Sequence, residues 1–132
     1  MQKLILIRGV SGSGKSTLAK KIQSEQPGAA IVEADMYFCD QDGTYQYDRD
    51  DIKLAHQWCQ SETTRLLRQG KTVIVSNTFC RQWEIQFYLD QAKKKGITVE
   101  LHHCYGRYQN VHGVPDEVVE KQLESFEKVQ MP

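Results

Sequence analysis

One stretch of this chain combines glycines, a lysine and hydroxyl side chains at a spacing suited to binding phosphate. Residues 9–17 read GVSGSGKST and match the pattern G-x-x-x-x-G-K-S/T in full. We expect positive φ at Gly9, Gly12 and Gly14, which would let successive backbone N–H groups approach an anion closely. The pattern predicts a nucleoside triphosphate site formed by Gly9, Ser11, Gly12, Ser13, Gly14, Lys15, Ser16 and Thr17.

Two side chains of this loop have the chemistry to act on bound phosphates. Lys15 would reach the β- and γ-phosphates, and the Ser16 hydroxyl would ligate Mg²⁺. We therefore expect ATP or another nucleoside triphosphate, together with Mg²⁺, as the cofactors. A Gly/Ser-rich turn that happens to contain one lysine is the alternative interpretation.

The segments around the loop predict alternating strands and helices. An apolar strand from Lys3 to Arg8 precedes the loop, and helical spacing follows from Ser16 to Gln26. Further apolar runs predict strands at 29–34, 71–76 and 97–104, and helical spacing predicts helices at 51–69, at 81–95 and from Pro115 onwards. This alternation predicts an α/β fold in three layers, with about four parallel strands and helices on both faces. In the helix at 81–95 we expect Trp83, Phe87 and Tyr88 to face inward.

Length and composition indicate one domain over residues 1–132. The chain has 39% hydrophobic and 26% charged residues, which is ordinary for a globular protein. No apolar stretch approaches the roughly 20 residues that span a membrane, so we expect no membrane partner and a cytoplasmic location. Because the formal net charge is zero, any binding of a polyanion must come from a local patch.

Carboxylates at the end of the second strand are candidates for acid–base chemistry. Glu33 and Asp35 lie there, and the carboxyl ends of parallel strands meet at the edge that carries the phosphate loop. Transfer of phosphate to a hydroxyl requires a carboxylate that accepts the hydroxyl proton, and we assign this to Asp35. The third strand ends in Ser76-Asn77-Thr78 and lacks the acidic metal ligand of a hydrolytic motor.

A cation must also meet the charge that spreads over the transferred phosphoryl group. Arg107 lies in a polar segment at 105–114 that would form a mobile lid, and it is one candidate for this role. Arg81, shortly after the third strand, is the competing candidate.

The set of motifs resembles the phage-type polynucleotide 5′-kinases and the small ATP-binding proteins related to them. The resemblance is carried by the 9–17 loop, by Asp35 followed by Tyr37, by Asn77-Thr78, and by the segment His112-Gly113-Val114-Pro115. It implies a P-loop kinase fold in which Asp35 activates the 5′-hydroxyl of a DNA or RNA end. It also places Lys15 and Ser16 at the ATP and metal site, and it predicts that the substrate meets Asp35, Tyr37, Asn77 and Thr78.

Two positions depart from that family and keep other functions open. Phe38 stands where the family often has an arginine that holds a substrate phosphate, and the lid arginine aligns better with Gln109 than with Arg107. The main hypothesis is an ATP-dependent polynucleotide 5′-hydroxyl kinase that acts in nucleic-acid end repair. The alternatives are a kinase of a nucleoside or another small hydroxyl metabolite, and a nucleotide-binding module that transfers nothing.

Overall fold

Strands and helices alternate along the chain, as the apolar runs predict. The computed structural model describes residues 2–10, 12–39, 48–79 and 81–104. Its elements are β1 (Lys3–Arg8), α1 (Lys15–Glu25), β2 (Ala30–Val32), α2 (Ile52–Arg68), β3 (Val73–Asn77), α3 (Gln82–Lys95) and β4 (Thr98–His103). The predicted lid at 105–114, with Arg107 and Gln109, and the predicted last helix lie outside the described residues, as does Ser11.

The four strands form one parallel sheet in the order β2-β3-β1-β4. In its registers, Leu4 of β1 lies opposite Val73 of β3 on one side and Val99 of β4 on the other. The prediction of about four parallel strands is therefore confirmed. Because all strands run in the same direction, the segments that follow β1, β2 and β3 leave the sheet at one edge, which we call the carboxyl edge.

Two apolar clusters show that helices cover both faces of the sheet. Leu4, Leu6, Val73 and Val75 pack in one cluster with residues of α2 and α3. The alternate residues Ile5, Ile7 and Ile74 pack in the other cluster with Ala19 and Ile22 of α1. Burial on both faces explains why β1 reads as a continuous apolar run. The three-layer α/β prediction is thus confirmed, and within the described residues no helix has the length and apolar character to cross a membrane.

Helix α3 presents its aromatic residues differently from our expectation. Tyr88 is buried and Phe87 is half-buried, but 72% of Trp83 is exposed to solvent. The inward prediction is wrong for Trp83 because the buried side of α3 consists of Ile85, Tyr88, Leu89 and Ala92. At about 100° per residue, Trp83 lies about 160° around the helix from Ile85 and so points away from the core.

Candidate active site

The phosphate loop connects β1 to α1 at the carboxyl edge. Gly12 has a φ of 81° and Gly14 a φ of 97°, so both adopt the left-handed conformation that favours glycine. Gly9 is not among the positive-φ residues, and the conformational prediction is wrong there. The requirement for glycine at this position is one of space, because an added Cβ would meet Ser13 Oγ and would lie 2.8 Å from the carbonyl oxygen of Cys104.

Hydrogen bonds fix the start of the loop between two neighbouring strand ends. Gly9 N donates to Thr78 O at 3.3 Å, and Ser13 N donates to Val10 O at 3.1 Å, which closes the loop upon itself. Beyond β4, Cys104 N donates to Arg8 O at 2.8 Å. The loop therefore begins from a backbone that is held on both sides.

A buried arginine at the end of β1 also binds the segment that follows β3. Only 1% of Arg8 is exposed, and its Nε and Nη2 donate to Phe79 O at 3.0 Å and 2.6 Å. Phe79 has a φ of 49°, which is left-handed and strained for a residue with a Cβ. Edge-to-face contact with the Tyr88 ring, at 5.5 Å between centroids, adds to the bonds that hold Phe79 in this conformation.

Polar side chains of the loop are available to a bound anion. Ser13 Oγ is buried and makes no hydrogen bond within the part of the chain that the structure describes. A phosphate oxygen would satisfy this buried hydroxyl, which otherwise costs free energy. Lys15 Nζ donates to Val10 O at 3.0 Å, so the ammonium group folds back over the loop. This arrangement suits the triphosphate of a nucleotide.

Ser16 and Glu33 meet across the gap between the loop and β2. Ser16 Oγ donates to Glu33 Oε1 at 3.1 Å, and Glu33 directly follows the last residue of β2. A hydroxyl beside a carboxylate is the oxygen donor set that Mg²⁺ prefers. Over the described residues no three His, Cys, Asp or Glu side chains cluster as a metal site, so a metal here would take its remaining ligands from phosphates and water. Thr17, the last residue of the motif, is exposed on the first turn of α1.

Asp35, which we expected at the end of the second strand, lies just beyond β2 in a short 3₁₀ turn, Ala34–Phe38. Its side chain is half-buried, two residues after Glu33. The turn is held from below by Asn77, whose Oδ1 accepts a hydrogen bond from Ala34 N at 2.8 Å. Asn77 Nδ2 in turn donates to Cys59 Sγ of α2 at 3.4 Å.

Asn77 lies at the end of β3, as predicted, and its side chain is engaged inside the protein. Only 6% of this residue is exposed, and both ends of its amide are engaged inside the protein. The side chain supports the backbone next to Asp35, and the substrate contact of Asn77 stays a prediction. In the sequence, the only indication of this supporting role was an asparagine at the end of a buried strand.

His56 of α2 is a further group near Asp35 that the sequence left unassigned. Helix α2 packs against the 3₁₀ turn, and the His56 side chain is half-buried between them. Burial lowers the pKa of His56 below its usual range, and the negative charge of Asp35 opposes part of that shift. The surroundings of His56 thus favour the neutral imidazole over the charged form. In the sequence, the only indication of this half-buried position was that His56 lies on the same helix as the core residues Ala55 and Cys59.

The remaining predicted residues lie around the carboxyl edge. Tyr37 is 38% exposed and contacts the Phe38 ring edge-on at 5.5 Å, while Phe38 is buried in the core. Thr78 is half-buried, and its carbonyl oxygen receives the bond from Gly9. Arg81 is exposed at the N-cap of α3. The structure thus brings Lys15, Ser16, Asp35 and Thr78 to one edge, and these roles remain predictions.

Comparison with known proteins identifies the class to which this site belongs. A family model described as an AAA domain matches residues 4–107, and the chain belongs to this family. The family and the fold neighbours together confirm the resemblance to P-loop kinases and support a phosphotransferase.

Two relatives match nearly the whole chain in sequence. The human NEDD4-binding protein 2 is 30% identical over 135 residues, which cover 95% of this chain and 8% of that protein. An uncharacterised protein of Pasteurella multocida (strain Pm70) is 28% identical over 131 residues, which cover 90% of this chain and 73% of that protein. The chain therefore spans a small part of the human relative and most of the bacterial one.

Solved structures share the fold at low sequence identity. Chaetomium thermophilum Kti12 in complex with ADP-AlF3 has a TM-score of 0.70 at 14% identity, covering 95% of this chain and 80% of that one. A chain of the Pnkp1/Rnl/Hen1 RNA repair complex has a TM-score of 0.68 at 16% identity, covering 95% and 44%. A gluconokinase from Sinorhizobium meliloti 1021 has a TM-score of 0.65 at 19% identity, covering 96% and 75%. At these identities the likeness establishes the fold alone.

Proposed function

We propose that this chain is an ATP-dependent kinase that phosphorylates the 5′-hydroxyl of DNA or RNA and so acts in nucleic-acid end repair. The observation that carries the proposal is the 3.1 Å hydrogen bond from Ser16 Oγ to Glu33 Oε1. It joins the phosphate loop to the end of β2, two residues before Asp35, and so supports a carboxylate within reach of a bound γ-phosphate. The choice of acceptor rests on the resemblance of the motif set to the polynucleotide 5′-kinases.

Asp35 is the general base of the proposed reaction. The 5′-hydroxyl oxygen forms a bond to the γ-phosphorus while the bond from that phosphorus to the β–γ bridging oxygen breaks. Asp35 accepts the hydroxyl proton, and ADP leaves with the electron pair of the broken bond. Lys15 exchanges its hydrogen bond with Val10 O for one with a phosphate oxygen and neutralises charge on the transferred group.

Mg²⁺ fits the donor set formed by Ser16 and Glu33. Ser16 would bind the ion directly, and Glu33 would bind it or one of its waters. When bound, the ion would neutralise negative charge on the triphosphate. In the proposed single domain, either Arg107 in the lid at 105–114 or Arg81 clamps the γ-phosphate. Arg81 has the exposed position at the carboxyl edge that such a clamp requires.

Transfer of labelled γ-phosphate from ATP to a 5′-hydroxyl oligonucleotide tests the proposed function. Asp35→Asn should bind ATP normally and lose most of the transfer, by roughly 10²- to 10⁴-fold. Asp90→Asn is the matched control because Asp90 is an exposed carboxylate on α3. Normal turnover by Asp35→Asn would show that another group is the base.

A kinase of a small hydroxyl compound is the second candidate, and the position of Phe38 favours it. Only 8% of Phe38 is exposed, so this residue packs in the core and does not offer a contact for a substrate phosphate. The gluconokinase neighbour is consistent with this candidate. Phosphorylation of a free nucleoside as efficiently as an oligonucleotide, without salt dependence, would support it. ATP binding without any phosphorylated product would instead favour a nucleotide-binding module.

A further inference from the structure

The most exposed large hydrophobic residue of the described chain stands beside the candidate active site. Trp83 is 72% exposed, whereas the next such residue, Leu54, is 47% exposed. Trp83 lies in the first turn of α3, which begins at Gln82, shortly after the Thr78 carbonyl that holds the phosphate loop. Core packing does not account for an indole in this position.

A cavity lies between α2 and α3, one helical turn beyond Trp83 along α3. Phe87 lies one helical turn after Trp83, so the two rings share a side of α3. Phe87 lines a cavity of about 340 Å³ whose other wall is formed by α2. That wall is polar and basic, and consists of Gln60, Ser61, Thr64, Arg65 and Arg68. Trp83, Phe87 and this α2 wall together form what we call the α2–α3 groove.

The chemistry of the α2–α3 groove selects among possible occupants. Arg65 forms an ion pair with Glu62 on the same helix, which partly neutralises its charge. Among the described residues Arg68 has no such carboxylate partner, so its charge is the one that a bound phosphate would meet. Aromatic rings on one wall with a cation and amide or hydroxyl groups on the other are suited to stacked bases and backbone phosphates. A protein partner would instead require a dry apolar centre.

We infer that the α2–α3 groove binds the single-stranded segment adjoining the 5′ end of a polynucleotide, with Trp83 as a stacking platform and Arg68 as a phosphate contact. The inference rests on the proposed polynucleotide kinase function and deepens it. Because both helices run from the carboxyl edge, a strand whose 5′-hydroxyl lies at Asp35 would pass Trp83 first and Arg68 later.

The chain offers a direct reporter for this surface. It has two tryptophans, Trp58 and Trp83, and Trp58 is half-buried, so the emission of a Trp58→Phe variant reports on Trp83 alone. Titration with a 5′-hydroxyl octanucleotide should quench that emission, because a base stacks on the indole. A nucleoside 3′-phosphate should quench it much less.

Steady-state kinetics separate this binding surface from the catalytic site. Trp83→Ala should raise KM for the octanucleotide roughly 5- to 30-fold, with partial recovery in Trp83→Phe. KM for ATP and for a nucleoside 3′-phosphate should not change. Arg68→Gln should reduce the slope of log affinity against log salt by about 0.7. Lys21→Gln, on α1 and the opposite face of the sheet, should leave that slope unchanged.

Failure of the inference and failure of the proposed function give different results. Suppose that the octanucleotide is labelled, that its KM is unchanged in Trp83→Ala and that the emission does not change. This result would overturn the binding role of the α2–α3 groove but would leave the proposed kinase function intact. If the parent protein labels no oligonucleotide and the octanucleotide does not alter Trp83 emission, both are overturned.

Discussion

Asn77 Oδ1 accepts a hydrogen bond of 2.8 Å from Ala34 N, the backbone group directly before Asp35. Asn77 belongs to β3 and Ala34 to the turn after β2, so the bond crosses from one strand end to the next. The same side chain donates to Cys59 Sγ in the overlying helix. The backbone next to the proposed base is therefore held by a buried side chain of the neighbouring strand.

Asn77→Ala should destabilise the protein by about 1–3 kcal/mol, because Ala34 N–H would remain buried without an acceptor. Denaturant unfolding measures this change in the free energy of unfolding. At temperatures where the variant is folded, kcat should fall more than KM for the acceptor rises. Gln57→Ala, which removes an exposed amide from α2, is the control and should change neither quantity appreciably. If only the KM for the acceptor rises, Asn77 contacts the substrate and this prediction is wrong.

Glu33→Gln should weaken the benefit that Mg²⁺ gives to nucleotide binding, because a neutral amide is a poorer ligand for the ion or its water. Calorimetric titration with ADP, with and without Mg²⁺, measures this benefit without any turnover. We expect a reduction of about tenfold, comparable to the loss of a group that orients a metal ligand. Glu25→Gln at the exposed end of α1 is the matched control. An unchanged dependence on Mg²⁺ would exclude Glu33 from the metal site.

Gly9→Ala and Gly28→Ala should separate a steric requirement from a conformational one. At Gly9 an added Cβ meets Ser13 and the Cys104 carbonyl, so the loop must shift, at a cost of about 1–3 kcal/mol and with much weaker nucleotide binding. At Gly28 no atom lies within 4 Å, but φ is +88°, so alanine costs about 1–2 kcal/mol through the backbone alone. Unfolding and nucleotide affinity, measured on both variants, test this contrast. Normal nucleotide binding by Gly9→Ala would contradict it.

His56 should make the folded protein less stable as the solution becomes mildly acidic. Its pKa is lower in the folded state than the ordinary value of about 6.5, so the unfolded chain takes up the proton first. The stability contribution is complete above about pH 6.5 and is lost as the pH falls through the lower folded value. Thermal unfolding between pH 7.5 and 5.5 should therefore show a smaller decrease in Tm for His56→Gln than for the parent.

His103→Gln is the control for this pH dependence. Burial, the Arg8 charge and the His102 charge also lower the pKa of His103, but its side chain is exposed. Its substitution should therefore remove less of the decrease. An identical pH profile in His56→Gln and the parent would show that His56 titrates normally.

The sequence was sufficient for the features that depend on local pattern. The alternation of apolar runs with helical spacing predicted a parallel sheet, because consecutive strands are joined by helices that cross over the sheet. The glycines at 12 and 14 predicted positive φ because the loop after β1 needs it. Both depend on residues that are close together in the chain.

Other features depended on contacts between distant segments and were not predictable in this way. The phase of α3 against the sheet decides that Ile85 is buried and Trp83 exposed, although both are apolar. Likewise, the space at Gly9 is limited by Cys104, which is brought there by β4. Similarly, the contact that Asn77 makes depends on Ala34, which follows β2 and lies far from Asn77 in the sequence. Tertiary packing, rather than local propensity, determined each of these.

The bonds from Arg8 to Phe79 and from Gly9 to Thr78 have a mechanical consequence. They join the base of the phosphate loop to the exit of β3 at two successive carbonyl groups. We therefore expect these two segments to move together as one block when a ligand binds. Asp35 is carried by the neighbouring strand end, which is coupled to that block by the Asn77 amide and by the hydrogen bond from Ser16 to Glu33. Adjustment to acceptors of different size should accordingly occur by tilting of the Ala34–Phe38 turn against a stationary nucleotide cradle.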